Sequence, residues 1–280
     1  MNTTYKVAKP IPSKPKMKIL LTLSLVIFIL NTPLIAQEAR LIWSDEFSTE
    51  GLPDPDKWTY DVGDHGWGND ELEYYSQSDL KNARIVNGEL IIEAHADPSH
   101  PKGYTSARLL TKGKASWQFG YIEVKAKLPY GRGTWPAIWM LPEENLHGGW
   151  PKNGEIDIME HVGYDPGKVH GTVHTEAFNH VIGTQKGGFQ QVPDFNDVFH
   201  TYAVDWTADK IDFLIDDSIY FTFENTGKDY KEWPFDQPFH LILNIAVGGG
   251  WGGQQGVAPE IWPQRMVVDY VRVYDKKPQQ

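Results

Sequence analysis

The chain has 280 residues, 40% of them apolar and 22% charged, enough to bury a core and too apolar for general disorder. It contains no cysteine, which excludes disulfides, thiolate nucleophiles and cysteine metal sites. A formal net charge of -11 argues against a nucleic-acid partner, and 11 tryptophans call for a role beyond filling a core.

The first element in chain order is a targeting segment. Lys6, Lys9, Lys14, Lys16 and Lys18 precede an apolar run from Ile19 to Leu30, and NTPLIAQEA follows with Ala36 and Ala39 as small residues at candidate cleavage points. Basic, then apolar, then small is the layout of an export signal, here residues 1–36, with Met17 as an alternative start. The apolar run is shorter than the roughly 20 residues of a membrane-spanning helix. No cysteine follows it to carry a lipid, so no stable membrane anchor is expected after cleavage. Cleavage removes five lysines and no acids, leaving 244 residues with 21 basic and 37 acidic side chains and a net charge of -16. An exported, secreted or periplasmic protein of that charge meets sugars, peptides or surfaces rather than DNA.

From Leu41 onward no long segment has helical period. Short alternating runs end at Gly, Pro, Asn or Asp instead. GELIIEAHA (Gly88–Ala96) and FGYIEVKAKL (Phe119–Leu128) read as strands, the second with Ile122, Val124, Ala126 and Leu128 on its apolar face. Ile211–Ile215 and Ser218–Phe223 flank Asp216-Asp217, a hairpin signature. FHLILNIAV (Phe239–Val247) reads as an interior strand and MVVDYVRVY (Met266–Tyr274) as a closing one. Many strands and few helices over residues 37–280 predict one all-β domain, a sandwich of two packed antiparallel sheets. The glycine- and tryptophan-rich stretches 63–69 and 248–253 read as loops.

The chemical signal is NGEIDIMEHVG (Asn153–Gly163). Glu155 and Asp157 lie two apart, on one face of a strand. Glu160 returns to that face only if a bulge at Ile158–Met159 adds a residue. Retaining glycoside hydrolysis requires a nucleophilic carboxylate and an acid/base carboxyl about 5–5.5 Å apart, and positions two apart on a strand are roughly 6–7 Å between Cα atoms. On this reading Glu155 is the nucleophile, Glu160 the acid/base with its pKa raised by its neighbours, and Asp157 the residue that assists Glu155. The competing reading is a solvated acidic strand, with or without a calcium. Trp67, Trp135, Trp139, Trp150 and Trp251 lie around this strand or in glycine-rich loops, as sugar-stacking platforms or as packing. His170 and His174 share one face of the next strand, with His174 placed near Glu160; a histidine metal site is the weaker reading because no H-E-x-x-H is present.

These segments resemble glycoside hydrolase family 16, the jelly-roll clan of laminarinases, lichenases, agarases and carrageenases. The resemblance runs from Leu41 to Tyr274 through WSDEF, HGWGNDELEYY, the long segment Tyr104–Pro142, NGEIDIMEHVG, VHGTVHT, PFHLILNIAVGGGWGG and VVDYVRVY. It implies a lectin-like β-jelly-roll with a concave substrate cleft, and the same roles for Glu155, Asp157 and Glu160. It further implies Trp135 and Trp139 as positioning tryptophans, Asn69 and Arg108 as polar partners of glucosyl hydroxyls or supports of the nucleophile, His174 beside the acid/base, and Trp251 lining the cleft. No cofactor is implied for catalysis. A structural Ca2+ is, with Glu46, the carbonyl of Gly88 and Asp269 as ligands. The bulged pattern is similar to laminarinases rather than bacterial lichenases, which implies endo-hydrolysis of β-1,3-glucosidic bonds in laminarin-type β-glucans. A mixed-linkage β-1,3-1,4-glucanase or a β-glucan transglycosylase is the alternative, and a monomer is expected.

Overall fold

The computed structural model describes residues 1–10, 12 and 38–279. The chain divides into two units, Met1–Gln37 and Glu38–Gln280. Described residues of the first are exposed and without regular secondary structure, and the apolar run Ile19–Leu30 lies outside the described residues. No helix among the described residues is long and apolar enough to cross a membrane.

The second unit is built from 17 strands. In chain order the first eight are β1 (Leu41–Asp45), β2 (Thr59–Tyr60), β3 (Glu73–Tyr75), β4 (Ala83–Val86), β5 (Glu89–Ala96), β6 (Tyr104–Ser106), β7 (Arg108–Leu110) and β8 (Gly120–Lys127). Then come β9 (Thr134–Pro142), β10 (Glu155–His161), β11 (Lys168–His174), β12 (Lys186–Gln191), β13 (His200–Trp206) and β14 (Lys210–Ile215). The last three are β15 (Ser218–Glu224), β16 (Phe239–Val247) and β17 (Gln264–Tyr274). One short 3-10 turn, His180–Ile182, is the helical element among the described residues.

Ten strands form one sheet in the order β15-β14-β13-β8-β17-β5-β6-β3, with β1 on β17 and β4 on β5; seven form the other in the order β12-β11-β10-β9-β16-β7-β2. All pairings are antiparallel except β3 with β6. The local causes are those the sequence suggests. Asp216 and Asp217 at φ 48° and 64° turn β14 into β15, and Asn87 and Gly88 at φ 55° and 79° turn β4 into β5, both left-handed pairs that suit a two-residue hairpin. In β8, Ile122, Val124 and Ala126 are buried while Glu123, Lys125 and Lys127 are half-buried. All nine residues of β16 are buried, between β9 and β7.

The core fills the space between the sheets. Ile122, Val124 and Val271 from the larger sheet join Ile138, Met140, Ile156, Leu241 and Leu243 from the smaller. Trp206 of the larger sheet meets Phe239 of the smaller edge to face at 5.4 Å, a geometry that aromatic pairs favour. The all-β sandwich expected from the sequence is the fold observed. The smaller sheet turns one face to this core and the other carries the polar residues of β7, β9, β10, β11 and β16.

Candidate active site

The central strand of the site is β10. Ile156, Ile158 and Met159 are buried in the core, so three residues in four face inward. The register accommodates this by a bulge. Asp157 pairs with Thr172 and Glu160 with His170, three steps on β10 against two on β11. On the other side Asp157 pairs with Trp139 and Glu160 with Ala137, again with one residue in excess on β10. The extra residue lies at Ile158–Met159, and Glu160 thereby returns to the face of Glu155 and Asp157.

Each of the outer carboxylates accepts a hydrogen bond from a tryptophan. Trp150 Nε1 donates to Glu155 Oε2 at 2.9 Å, and Trp135 Nε1 donates to Glu160 Oε1 at 3.0 Å. Asp157 hydrogen-bonds Glu155, and its Oδ2 lies 3.3 Å from His174 Nε2, which is also 3.8 Å from Glu155 Oε1. The environment resists charge on all three. Burial first, then the Asp157 charge, pushes Glu155 well above the usual carboxylate range, with His174, and the Trp150 hydrogen bond, opposing. Burial pushes Asp157 up to about 8, and burial followed by the Asp157 charge pushes Glu160 up to about 8. A cleft that strips carboxylates of water while crowding them together holds protons into the neutral range.

The register corrects one expectation. His174 was expected near Glu160; it stands opposite Glu155, and His170 is the residue opposite Glu160. The reason is that β11 runs antiparallel to β10, so the later histidine meets the earlier carboxylate. The expectation that both histidines share one face holds.

The aromatic residues wall the cleft. Trp251 meets Trp135 edge-on at 5.6 Å and His170 at 5.1 Å. The loop that carries Trp251 packs on Trp135 so closely that a Cβ on Gly252 would lie 2.8 Å from the Trp135 Cβ, which explains a glycine there. Trp139 donates its Nε1 to Asn244 Oδ1 at 2.8 Å. Asn244 Nδ2 donates to the Tyr75 hydroxyl at 2.9 Å, which faces Glu71 Oε2 at 3.4 Å, and Asn69 Nδ2 donates to Glu71 Oε1 at 3.0 Å. The Asn69 carbonyl accepts from Gly250 at 2.6 Å, so this chain of bonds ties Trp139 to the Trp251 loop. Arg108 lies between the rings of Trp67 and Trp139, 4.8 and 4.7 Å from their centroids, and pairs with Asp61 at 3.1 Å. Asn69 and Arg108 are therefore supports of the aromatic wall.

Sequence reading passed over Trp150 as a partner of Glu155, and Glu71, Tyr75 and Asn244 as the network behind Trp139. Signals existed for two of them. Trp150 is the tryptophan of the loop just before β10, and Asn244 is the polar residue on the cleft-side alternation of the otherwise apolar run of β16.

The expected calcium ligands lie on β17 and on the turns that flank β1 and β5 beside it. β1 and β5 share an edge of β17: Asp45 pairs with Val271 and Leu90 with Val268, which brings Glu46 and Gly88 together beside the β17 bulge that contains Asp269. Oxygen donors of these kinds in that place fit Ca2+. Both carboxylates are turned to cations, Glu46 to Arg272 Nε and Nη2 at 2.9 and 2.8 Å, and Asp269 to Lys125 at 2.8 Å. A bound ion would take them from these partners.

Comparison with known proteins agrees with this geometry. The family model of glycosyl hydrolases family 16 matches residues 67–272. A beta-glucanase of Rhodothermus marinus is 60% identical over 242 residues, 84% of this chain and 85% of that one. The X-ray structure of the laminarinase from Rhodothermus marinus superimposes with a TM-score of 0.83 at 58% identity, over 85% of this chain and 98% of that chain. The structure of SCLam, a non-specific endo-beta-1,3(4)-glucanase, superimposes with a TM-score of 0.81 at 48% identity, over 86% of this chain and 92% of that one. The matched segment holds every cleft side chain from Trp67 to Trp251, and the chain belongs to glycosyl hydrolase family 16.

Proposed function

We propose that this chain is a retaining endo-β-1,3-glucanase acting on laminarin-type glucans. The observation that carries the reading is the bulge in β10, which stands Glu155 and Glu160 on one face, each under a tryptophan N–H. Of the three carboxyls, Glu155 holds the charge. It takes the Trp150 hydrogen bond, sits within reach of His174, and its side chain is 14% exposed against 4% for Asp157. Asp157, buried and hydrogen-bonded to Glu155, shares a proton with it. Glu160 keeps a proton for the leaving group.

The reaction then follows in two displacements. Glu155 Oε1, the oxygen not held by Trp150, bonds to the anomeric carbon as the glycosidic bond breaks and Glu160 gives its proton to the departing oxygen. Asp157 releases its hold on the Glu155 charge as the ester forms. In the second step Glu160 takes a proton from water, whose oxygen bonds to the same carbon, and the ester to Glu155 breaks with the β configuration kept. Trp135, Trp139 and Trp251 offer ring faces to the pyranose CH groups on either side of the reacting sugar.

Time-resolved product analysis of residues 37–280 on laminarin and lichenan, side by side, tests this. Early release of β-1,3-oligosaccharides of mixed length, with slower attack on lichenan, is expected. Activity confined to lichenan overturns the linkage assignment. Mixed-linkage hydrolysis is the second reading, supported by the likeness to SCLam, and products that grow longer than the substrate would point to transfer.

We further infer a structural Ca2+ at Glu46, Gly88 and Asp269, export with removal of residues 1–36, and a monomer in solution. Calcium-dependent melting lost in Asp269→Ala, N-terminal sequencing of the exported protein, and sedimentation test the three.

A further inference from the structure

Glu155, Asp157 and His174 form the one group of three histidine and carboxylate side chains among the described residues whose ligand atoms all lie within 4.8 Å of one another. We propose that these three side chains are a reversible inhibitory site for a divalent transition-metal cation of the zinc type. The inference rests on the catalytic reading of Glu155 only for its inhibitory consequence, not for the binding itself.

The spacing is the first argument. Zinc bonds of about 2.0–2.2 Å in a tetrahedron place ligand atoms about 3.3–3.6 Å apart. His174 Nε2 lies 3.3 Å from Asp157 Oδ2 and 3.8 Å from Glu155 Oε1. Small rotations of the side chains bring all three to bonding distance, with the fourth position open to the cleft. The second argument is an atom without a partner. Asp157 is 3% exposed, and its Oδ2 has no hydrogen-bond partner, since His174 Nε2 approaches without the alignment of a hydrogen bond. A buried carboxylate oxygen left in that state is costly, and a cation satisfies it. The third argument is ligand type. One imidazole with two carboxylates suits zinc or copper, whereas Ca2+ and Mg2+ prefer oxygen donors alone.

The consequence for turnover follows from which oxygen is taken. Trp150 holds Glu155 Oε2, so the cation binds Oε1, the oxygen assigned to attack. A metal there and a sugar ring over Glu155 exclude each other, and inhibition is competitive with substrate. His174 Nδ1 has no hydrogen-bond partner to fix the ring. Metal-ligating histidines ordinarily have such an anchor, so the ion exchanges rather than staying resident.

Isothermal titration of ZnCl2 into the protein with Ca2+ in excess tests the site, with steady-state inhibition measured alongside. One equivalent is expected to bind wild type. Asp157→Asn and His174→Gln are expected to weaken it by more than about tenfold. Glu160→Gln, whose carboxyl is outside the group, is expected to bind Zn2+ as wild type does, and so is His200→Gln, which removes the half-buried histidine held between Asp194 and Asp216. Circular dichroism confirms that each variant is folded. Equal loss in Glu160→Gln would mean general attraction to an acidic cleft and would overturn the proposal, as would unchanged binding in both Asp157→Asn and His174→Gln. No binding to an enzyme active on laminarin overturns the metal site and leaves the hydrolase reading intact. Binding to a protein inactive on every glucan does the reverse.

Discussion

Replacing Trp150 with Phe isolates one hydrogen bond at the nucleophile. The indole N–H donates to Glu155 Oε2 at 2.9 Å and is the hydrogen bond that favours the charged form of this carboxyl. Phenylalanine keeps an aromatic ring and removes the donor. A hydrogen bond to a charged group contributes about 1.5–3 kcal/mol. Trp150 is 43% exposed, so water replaces part of what is lost, and the lower end, about 1.5 kcal/mol, applies. That is about one pKa unit. The direction follows from the ionised form being the one stabilised. Without the donor the Glu155 pKa rises further, and Glu155 acts as the anion, so the acid limb of kcat/KM against pH moves up by about one unit. On that limb the variant loses about tenfold; on the plateau it loses much less. The basic limb, set by the Glu160 proton, stays in place. The assay is a pH profile of kcat/KM on a soluble β-1,3-oligosaccharide for both proteins. An acid limb that does not move, even with a raised KM, would refute the argument and reduce Trp150 to a stacking surface.

Glu155→Ala and Glu160→Ala should each lose activity on laminarin, the second by about 10²–10⁴-fold. Glu160→Ala should recover on an aryl glucoside with a good leaving group, and Glu155→Ala should not; equal behaviour of the two on both substrates would reverse the assignment. Because Glu160 must carry its proton to act, kcat/KM should fall as pH rises through about 8. Asn244→Leu leaves the Trp139 N–H and the Tyr75 hydroxyl without their partner; a stability loss of about 1–3 kcal/mol, read by chemical denaturation, and a raised KM with a smaller change in kcat are expected. Gly171→Ala in β11 would set a Cβ 2.6 Å from Phe213 Cδ1 and against the Tyr220 hydroxyl, so it should cost about 1–3 kcal/mol by overpacking, and a melting temperature equal to wild type would contradict the packing.

The features legible in the sequence are those set by short-range rules. Alternation marked β8, left-handed turn residues marked the β14–β15 hairpin, and a continuous apolar run marked β16, the strand buried along its whole length. The carboxylate face was legible because its argument needs only one strand and one bulge. What a single strand does not determine is its neighbours. The position of His174 depended on where β11 pairs with β10, a register that no local pattern carries, and the expectation failed by one carboxylate pair. The Asn69–Glu71–Tyr75–Asn244–Trp139 path joins residues up to 175 positions apart in sequence. It assembles only once the smaller sheet and the loops before β3 are in place. Trp150 was visible as a tryptophan, yet its N–H could be assigned to Glu155 only after the loop path from Pro142 to Glu155 was known.

The bulge itself shows how packing and chemistry share one residue. In a strand that ran E-x-D-x-E without interruption, the third carboxylate would pair with Ala137 and His170, the same neighbours that Glu160 has here. The bulge therefore does not change which cross-strand residues face the acid/base. It adds Met159, wholly buried, to the core side, where a side chain of that size contributes about 1.5–3 kcal/mol. It also adds local twist and re-aims the side chain that follows, which leaves Glu160 turned toward the Trp135 N–H while Glu155 turns toward Trp150. The two outer carboxylates thus lean on separate donors on separate sides; both donors favour the charged form, so it is burial that holds the proton on Glu160 against the Trp135 hydrogen bond.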